Sequence, residues 1–299
     1  MKLDLSVTTF IMEMPLLIEE GSFRIGEGPL RPDKEKQLEK IFEGAAYAGF
    51  RKIDVAYYTL LRLGREKMEQ ILRRTGLIIN CINIPGPYAS PDVPDEIVVE
   101  DAKKAVDLAE IYGTRKIMLA LAPADGDREE MYLAMVRRFN IISDYAASKG
   151  IDCLIEEDPK TNIPLGNSRE VRRVLDHVPN AKLAIDTVNM MMALDEPVAF
   201  YEALSDKIVY GHLKDIKPVP EGTPFADVDI NGKTYVNTNP YEGTVDFNAI
   251  FTSFEKHGFS GEIALEYVPW ETDDFAEELK DIYRRITTSV ARTATNPLS

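Results

Sequence analysis

Four short apolar stretches in the second half of the chain each end in residues that could bind a metal ion or move a proton. The first ends in the acidic run 156–158, and the next three end in Asp186, His212 and Glu266. Carboxylates and imidazoles are costly to bury unless they are paired or coordinated, so several of them at one edge of a sheet call for a compensating cation. Three carboxylates and one imidazole suit manganese, magnesium, zinc or cobalt, and the ligand types alone do not choose among these metals.

Taken one at a time, these residues have a simpler interpretation. An acidic residue at a strand end commonly caps the helix that follows. The other two histidines, His177 and His257, are predicted at helix C-termini, where a cationic ring complements the helix dipole. Only His212 ends a predicted strand. Four ligand-type residues at equivalent positions of consecutive strands therefore favour a shared site over four separate caps.

Eight apolar stretches alternate with amphipathic segments along the whole chain. Segments 34–50, 96–113 and 128–150 repeat apolar residues every three or four positions and are predicted to be helices. Eight strand–helix units in 299 residues predict an α/β fold, a single-domain (β/α)8 TIM barrel whose active site lies at the C-terminal ends of the strands. The predicted strands are 3–10, 52–57, 77–84, 116–122, 151–157, 182–186, 207–213 and 262–268.

One connection is much longer than the others. Residues 216–246 follow the seventh predicted strand, and the Asn231–Gly232 pair between "DVDI" and "KTYV" predicts a β-hairpin. A long loop at this end of a barrel is usually functional. We therefore expect 216–246 to be an active-site loop insertion within one domain that spans 1–299. Neither a dinucleotide-binding glycine motif nor a phosphate-binding P-loop motif is found in the sequence.

The composition predicts a soluble protein with a large core, because 44% of the residues are apolar and 28% are charged. A net charge of −15 opposes nucleic-acid binding. No stretch approaches the roughly 20 apolar residues of a membrane span, and no signal-peptide pattern opens the chain. With Cys81 and Cys153 in apolar stretches as buried thiols, a cytoplasmic location is expected. The oligomeric state is left open, with a homo-oligomer among the alternatives.

Four segments, taken together and in order, carry a resemblance to a known superfamily. They are typical of the xylose-isomerase-like TIM barrels, which include sugar phosphate isomerases and epimerases, the ketose 3-epimerases and, more distantly, endonuclease IV. The resemblance covers most of the chain and is clearest over 143–270. The segments are "ASKGIDCLIEEDP", "LAIDTVN", "YGHLKD" and "EGTVDFNAIFTSFEKHGFSGEIALEY".

The resemblance implies one divalent metal ion, with manganese favoured and magnesium, cobalt or zinc as alternatives. The implied ligands are Glu156, Asp186, His212 and Glu266. Glu156 is preferred to Glu157 because it lies six residues after Gly150, which is the offset of the family pattern. One departure matters, since many relatives have Asp-x-x-His where this chain has "DTVN". Asn189 is a poor metal ligand, so a one-metal sugar site is favoured over a three-metal nuclease site.

The activity that the resemblance implies is that of a sugar isomerase or epimerase. It moves a proton next to the carbonyl of a small ketose or related polyol-carbonyl compound through an ene-diolate. The cation polarises the carbonyl, and Glu156 and Glu266 transfer the proton from opposite faces of the sugar. The absence of a basic cluster favours a sugar without phosphate, and the role of Asp215 is left open. The residues predicted to bind the substrate are Asn83, Tyr88, Asn189, Lys214 and Trp270.

Three alternatives compete with this activity. A dehydratase of the inositol-catabolism type removes water after the same proton abstraction, and the motifs do not exclude it. A phosphodiesterase like endonuclease IV needs more than the three histidines of this chain and is opposed by the negative charge. A non-catalytic carbohydrate-binding barrel would have no use for two opposed glutamates.

Overall fold

The protein is a closed barrel of eight parallel strands surrounded by helices. The structure is a computed structural model and describes residues 4–19, 25–26, 28–158, 160, 162–224, 226–266 and 274–295. Neighbouring barrel strands follow one another along the chain, and the last barrel strand closes the ring between the seventh and the first. The barrel strands are β1 (Asp4–Thr8), β2 (Lys52–Ala56), β3 (Ile78–Gly86), β4 (Lys116–Leu121), β5 (Asp152–Glu156), β6 (Ala181–Asp186), β7 (Ile208–Leu213) and β11 (Glu262–Glu266).

The helices that cover the barrel begin and end at recognisable signals. Asp127 caps one helix by accepting hydrogen bonds from two backbone N–H groups. Gly49 and Gly113 end two others in the left-handed conformation. The helices are α1 (Phe10–Leu17), α2 (Pro32–Ala48), α3 (Tyr57–Leu63), α4 (Arg65–Thr75), α5 (Asp95–Tyr112), α6 (Arg128–Ser148), α7 (Ser168–His177), α8 (Asn189–Met192), α9 (Pro197–Leu204), α10 (Phe247–Lys256) and α11 (Phe275–Thr295).

The predicted fold is confirmed. All eight predicted strands are barrel strands, and the three predicted helices correspond to α2, α5 and α6. His177 ends α7 and His257 directly follows α10, as predicted. Cys81 and Cys153 are buried free thiols, also as predicted. Within the described ranges, no helix is both long enough and apolar enough to cross a lipid bilayer.

Alternation along the strands divides their side chains between the helical layer and the barrel lumen. A layer of lumen residues packs together near the middle of the barrel and includes Leu154, Ala184, Tyr210 and Ala264. Because successive side chains point to opposite faces, the residue two positions further along each of these strands also faces the lumen, one layer nearer the C-terminal mouth. The four predicted metal ligands occupy those positions.

The long connection after β7 contains the predicted hairpin. Its strands β9 (Asp227–Val228) and β10 (Thr234–Thr238) are antiparallel, and β10 also pairs with β8 (Asp215–Pro218) to form a separate three-stranded sheet. The buried carboxylate of Asp215 fastens this segment to the barrel. It accepts hydrogen bonds from the backbone N–H groups of Ile216, Gly243 and Val245 at 2.8, 2.9 and 3.0 Å. Asp215 therefore joins the start of the segment to its end.

Candidate metal centre

The predicted ligands from four strands converge at the C-terminal mouth of the barrel. Asp186 lies beside His212 in the β6–β7 register, and His212 lies beside Ala264 in the β7–β11 register. One potential ligand atom from each of the four residues lies within 4.8 Å of the others. The chain contributes them from positions far apart in sequence, so barrel closure is what brings them together.

The donor atoms of this cluster face one another at short range. Nδ1 of His212 lies 2.6 Å from Oε1 of Glu156 and 3.2 Å from Oε2 of Glu266. Although Nδ1 of His212 and Oε1 of Glu156 are only 2.6 Å apart, they do not meet hydrogen-bond geometry. Both atoms, and also Oδ2 of Asp186, are buried without a hydrogen-bond partner among the described residues. Buried polar atoms are seldom left in this state. The four potential ligand atoms lie at most 4.8 Å from one another, which is little more than twice a metal–oxygen distance of about 2.0–2.2 Å. A divalent cation therefore fits between them.

The start of α8 orients the carboxylate of Asp186. Its Oδ1 accepts hydrogen bonds from the backbone N–H groups of Val188 and Asn189 at 2.7 and 3.0 Å. A carboxylate held by one oxygen presents the other in a defined direction. Oδ2 of Asp186 is therefore the oxygen left for the cluster.

The structure shows which of the neighbouring residues Glu156 and Glu157 faces the cluster. The sequence pattern of the strand alone does not show this. Glu156 continues the lumen-facing series of β5, whereas Oε1 of Glu157 accepts a hydrogen bond from the backbone N–H of Asp186 at 2.7 Å. Burial, together with the charges of Glu156 and Asp186, raises the pKa of Glu157 well above its usual range. Glu157 thus ties β5 to β6 beside the cluster.

Buried charges in the cluster shift one another strongly. Burial raises the pKa of Asp186 to about 6 despite the opposing effect of Lys214. Burial also acts to raise the pKa of Glu266, but Lys214 and His212 outweigh it and hold that pKa below its usual range. For His212 and Lys214, burial acts to lower the pKa, and the surrounding carboxylates raise both values well above normal. The carboxylates of the cluster thus favour the charged forms of both side chains.

A cavity of about 170 Å³ opens onto the cluster. One wall is apolar and includes Phe10, Met118 and Leu121. Asn83 also lines the cavity, and its Nδ2 donates to Oγ1 of Thr8 at 3.2 Å, while its Oδ1 is buried without a hydrogen-bond partner among the described residues. That oxygen is therefore an acceptor with unused hydrogen-bonding capacity, and the predicted role of Asn83 in substrate binding stays a prediction. None of the described residues of 216–246 lines the cavity, so the role of that segment as an active-site loop stays a prediction.

The other residues predicted to bind substrate differ in position. Asn189 and Lys214 line the cavity. Tyr88 is outside the lining: its side chain is only 1% exposed, its hydroxyl donates to the carbonyl of Ile84 at 3.2 Å and its ring packs near Phe139. Trp270 lies outside the described residues.

Two charged residues near the cluster were not predicted from the sequence. Asp54 on β2 faces the lumen, with Oδ2 at 3.7 Å from Nε2 of His212. Lys160 lines the cavity and its ammonium pairs with Asp158 at 2.9 Å. A carboxylate in the middle of the strand "KIDVA", which is otherwise apolar after Lys52, is a signal that could have identified Asp54, whereas the loop position of Lys160 offers no such signal.

Comparisons with known proteins agree with this architecture. The family model for the xylose isomerase-like TIM barrel matches residues 42–285. A curated relative, the 2-oxo-tetronate isomerase of Haemophilus influenzae, is 24% identical over 243 residues, covering 76% of this chain and 86% of the relative.

Solved structures resemble the fold over nearly the whole chain. A xylose isomerase-like TIM barrel protein from Mycobacterium smegmatis, solved in complex with magnesium, gives a TM-score of 0.70 at 16% identity, with 97% of this chain and 98% of that chain covered. An L-ribulose 3-epimerase gives a TM-score of 0.71 at 15% identity, with 98% of this chain and 96% of that chain covered. At these identities the likeness establishes the fold, and function depends on the site.

Proposed function

Because the chain belongs to the xylose isomerase-like TIM barrel family, we propose that it is a metal-dependent isomerase or epimerase of a small polyhydroxy carbonyl compound. The observation that carries the proposal is the convergence of three carboxylates and one imidazole, with donor atoms within 4.8 Å, at the mouth of the barrel. The names of the relatives, an isomerase and an epimerase of sugar-like compounds, support the same reaction class.

In this proposal a divalent cation is held by four residues, with manganese favoured and magnesium, cobalt and zinc also suited to the donor set. These residues are Glu156, Asp186, His212 and Glu266. The cation would polarise a substrate carbonyl and make the neighbouring C–H bond more acidic. The protein supplies carboxylates for the proton that leaves carbon, and the apolar wall of the cavity keeps bulk water from the reacting atoms.

The cavity limits the size and the charge of the substrate. The volume of about 170 Å³ that the described residues enclose is below the range of about 300–1,000 Å³ that is usual for drug-sized ligands, which favours a short sugar. The ammonium groups of Lys160 and Lys214 are both paired with carboxylates. A substrate without phosphate is therefore favoured. Oδ1 of Asn83 would accept a hydrogen bond from one of its hydroxyls.

The test is solvent deuterium exchange into a panel of ketoses, aldoses and ketoinositols. Purified protein loaded with Mn²⁺ is expected to exchange the carbon-bound hydrogen beside the carbonyl of at least one compound, and chelator-treated protein is expected to lose that exchange. A matched control is Glu130→Gln, which removes an exposed carboxylate of α6 and should leave exchange unchanged. Absence of exchange across the whole panel would contradict the proposal, and loss of water from a ketoinositol would indicate the dehydratase alternative.

A further inference from the structure

Glu156 and Glu266 have different surroundings, although both belong to the cluster. Oε1 of Glu266 accepts a hydrogen bond from Nζ of Lys214 at 2.9 Å, and its Oε2 lies 3.2 Å from Nδ1 of His212. Oε1 of Glu266 is therefore hydrogen-bonded to a lysine, and its Oε2 faces the ring nitrogen that a metal would use. In Glu156, Oε1 is the oxygen that faces the same ring nitrogen, at 2.6 Å and without hydrogen-bond geometry. Its Oε2 has no hydrogen-bond or ion-pair partner among the described residues, and the side chain lines the cavity.

Lys214 is surrounded by acceptors from the protein itself. Besides Glu266, its ammonium donates to Oδ1 of Asn189 at 3.1 Å and lies 3.3 Å from Oδ2 of Asp186. Two of the three ammonium protons are therefore donated to protein acceptors, and a third protein oxygen lies within ion-pair distance. Nδ2 of Asn189 in turn donates to the carbonyl of Glu157 at 3.0 Å. Lys214 and Asn189 thus link the ends of β5, β6, β7 and β11 in one connected group.

These contacts give the two glutamates different tasks. Resting on the proposed function, we propose that Glu156 is the single base of the reaction and that Lys214 is a positioning residue which holds Glu266 in its place as a ligand. From the sequence, Lys214 is predicted to bind the substrate and both glutamates are predicted to transfer protons. In the structure, a proton carried by Glu266 would have to replace a hydrogen bond to Lys214 or the contact with His212.

The reaction that follows from one base is an isomerisation between neighbouring carbons. Oε2 of Glu156 takes the proton from the hydroxyl-bearing carbon, the C–H electron pair becomes the C=C bond of an ene-diol skeleton, and the carbonyl pair moves onto oxygen. The same carboxylic acid then returns the proton to the former carbonyl carbon, while the hydroxyl proton passes from one oxygen to the other. Atoms and charge balance without a co-reactant. Inversion at one carbon would instead need a second proton donor on the opposite face.

The first test uses the unmodified protein loaded with Mn²⁺ and a compound that undergoes exchange. The expected main product is the aldose–ketose isomer of that compound. A product inverted at the exchanged carbon would overturn the single-base proposal while leaving the proposed function intact. If no compound exchanges at all, the proposed function fails first, so the two failures are distinguishable.

The second test compares Glu156→Gln with Glu266→Gln, each at a Mn²⁺ concentration shown to be saturating by electron paramagnetic resonance. General base catalysis is worth about 10²–10⁴-fold in rate, so Glu156→Gln should exchange at least about tenfold more slowly than Glu266→Gln. Equal rates, or a slower Glu266→Gln protein, would overturn the proposal. The resonance titration also reports Mn²⁺ affinity without any turnover.

The third test asks whether Lys214 positions a ligand or binds the substrate. Lys214→Met removes the ammonium and keeps a side chain of similar length. Mn²⁺ is expected to bind about tenfold or more weakly, as after the loss of other residues that orient metal ligands. The kcat should be lower and the KM unchanged. A raised KM with unaltered Mn²⁺ binding would make Lys214 a substrate-binding residue and overturn its assigned role.

Discussion

Nε2 of His212 lies 3.7 Å from Oδ2 of Asp54, while Nδ1 on the other side of the ring lies 2.6 Å from Oε1 of Glu156. Asp54 is itself held in the lumen, because its Oδ2 accepts a hydrogen bond from the hydroxyl of Tyr210 at 2.6 Å. A carboxylate behind a ligand histidine favours a proton on the rear nitrogen and leaves the front nitrogen free to coordinate. At 3.7 Å the contact is an ion-pair distance and not a hydrogen bond, so in this structure Asp54 acts on the imidazole through its charge.

Asp54→Asn is predicted to lower the affinity for Mn²⁺. The amide cannot stabilise the N–H of the imidazole as a carboxylate does, and loss of such a partner typically costs about 10–100-fold in metal affinity or activity. Isothermal titration calorimetry measures the change. Asp152→Asn, at the opposite end of the barrel where Asp152 pairs with Lys182, should bind Mn²⁺ as the unmodified protein does. Wild-type affinity in Asp54→Asn would show that Asp54 does not orient the ring.

Mn²⁺ is predicted to stabilise the fold. A ligand at 100 times its dissociation constant adds about 2.7 kcal/mol to the free energy of unfolding, which corresponds to a rise of several degrees in Tm for a chain of this size. Differential scanning fluorimetry with and without Mn²⁺ measures the shift. Asp186→Asn should abolish it, because the cluster loses a carboxylate donor, and Glu130→Gln should keep it. An equal shift in Asp186→Asn would place the ion elsewhere.

Stability is predicted to fall as the pH rises, in part because of Glu13. Burial raises the pKa of Glu13 to about 7 from 4.5, against the effect of the hydrogen bonds that it accepts from Thr9 and from the Ala56 N–H. Between these two pH values the folded protein holds a proton that the unfolded chain has released, so the stability present below pH 4.5 is lost as the pH rises through 7. At about 1.4 kcal/mol for each unit of pKa, the loss is on the order of 3 kcal/mol.

Urea denaturation of Glu13→Gln between pH 5 and 8 checks this contribution. Because the amide does not titrate, the free energy of unfolding of the variant should change less over this range than that of the unmodified protein. Glu100→Gln, which removes an exposed carboxylate of α5, should keep the original dependence. Parallel curves for Glu13→Gln and the unmodified protein would contradict the assignment.

The fastening of the long segment is predicted to depend on Asp215 and Gly243. A Cβ atom at Gly243 would lie 2.3 Å from both Oδ1 of Asp215 and the carbonyl oxygen of Ile216, so Gly243→Ala forces the turn away from its anchor. Asp215→Ala leaves three backbone N–H groups without their acceptor. Each change should lower the free energy of unfolding by about 2 kcal/mol or more.

Asp227→Asn, at an exposed carboxylate of the same segment, should change it by less than about 0.5 kcal/mol. Chemical denaturation provides the comparison, and unchanged stability in Asp215→Ala would refute the anchor.

Much of the fold and of the cluster could be predicted because strand periodicity is a local property. The apolar stretches ending in Asp186, His212 and Glu266 carry the alternation that sends their last residues into the lumen. Glu156 and Glu157 show the limit of that reasoning, since neighbouring acids at a strand end differ only in the face they take. The register of β5 against β6 places Glu157 on the backbone of Asp186.

The sequence by itself determined the barrel and the residue types at its mouth, because hydrophobic period and turn chemistry act over a few neighbouring residues. Only the tertiary structure decided how those residues share their hydrogen bonds. Lys214 and Glu266 are 52 positions apart in the chain, and their contact depends on barrel closure and side-chain rotamers that no local pattern encodes. The same closure left Oε2 of Glu156 without a partner among the described residues, and that difference distinguishes two glutamates which look alike in the sequence.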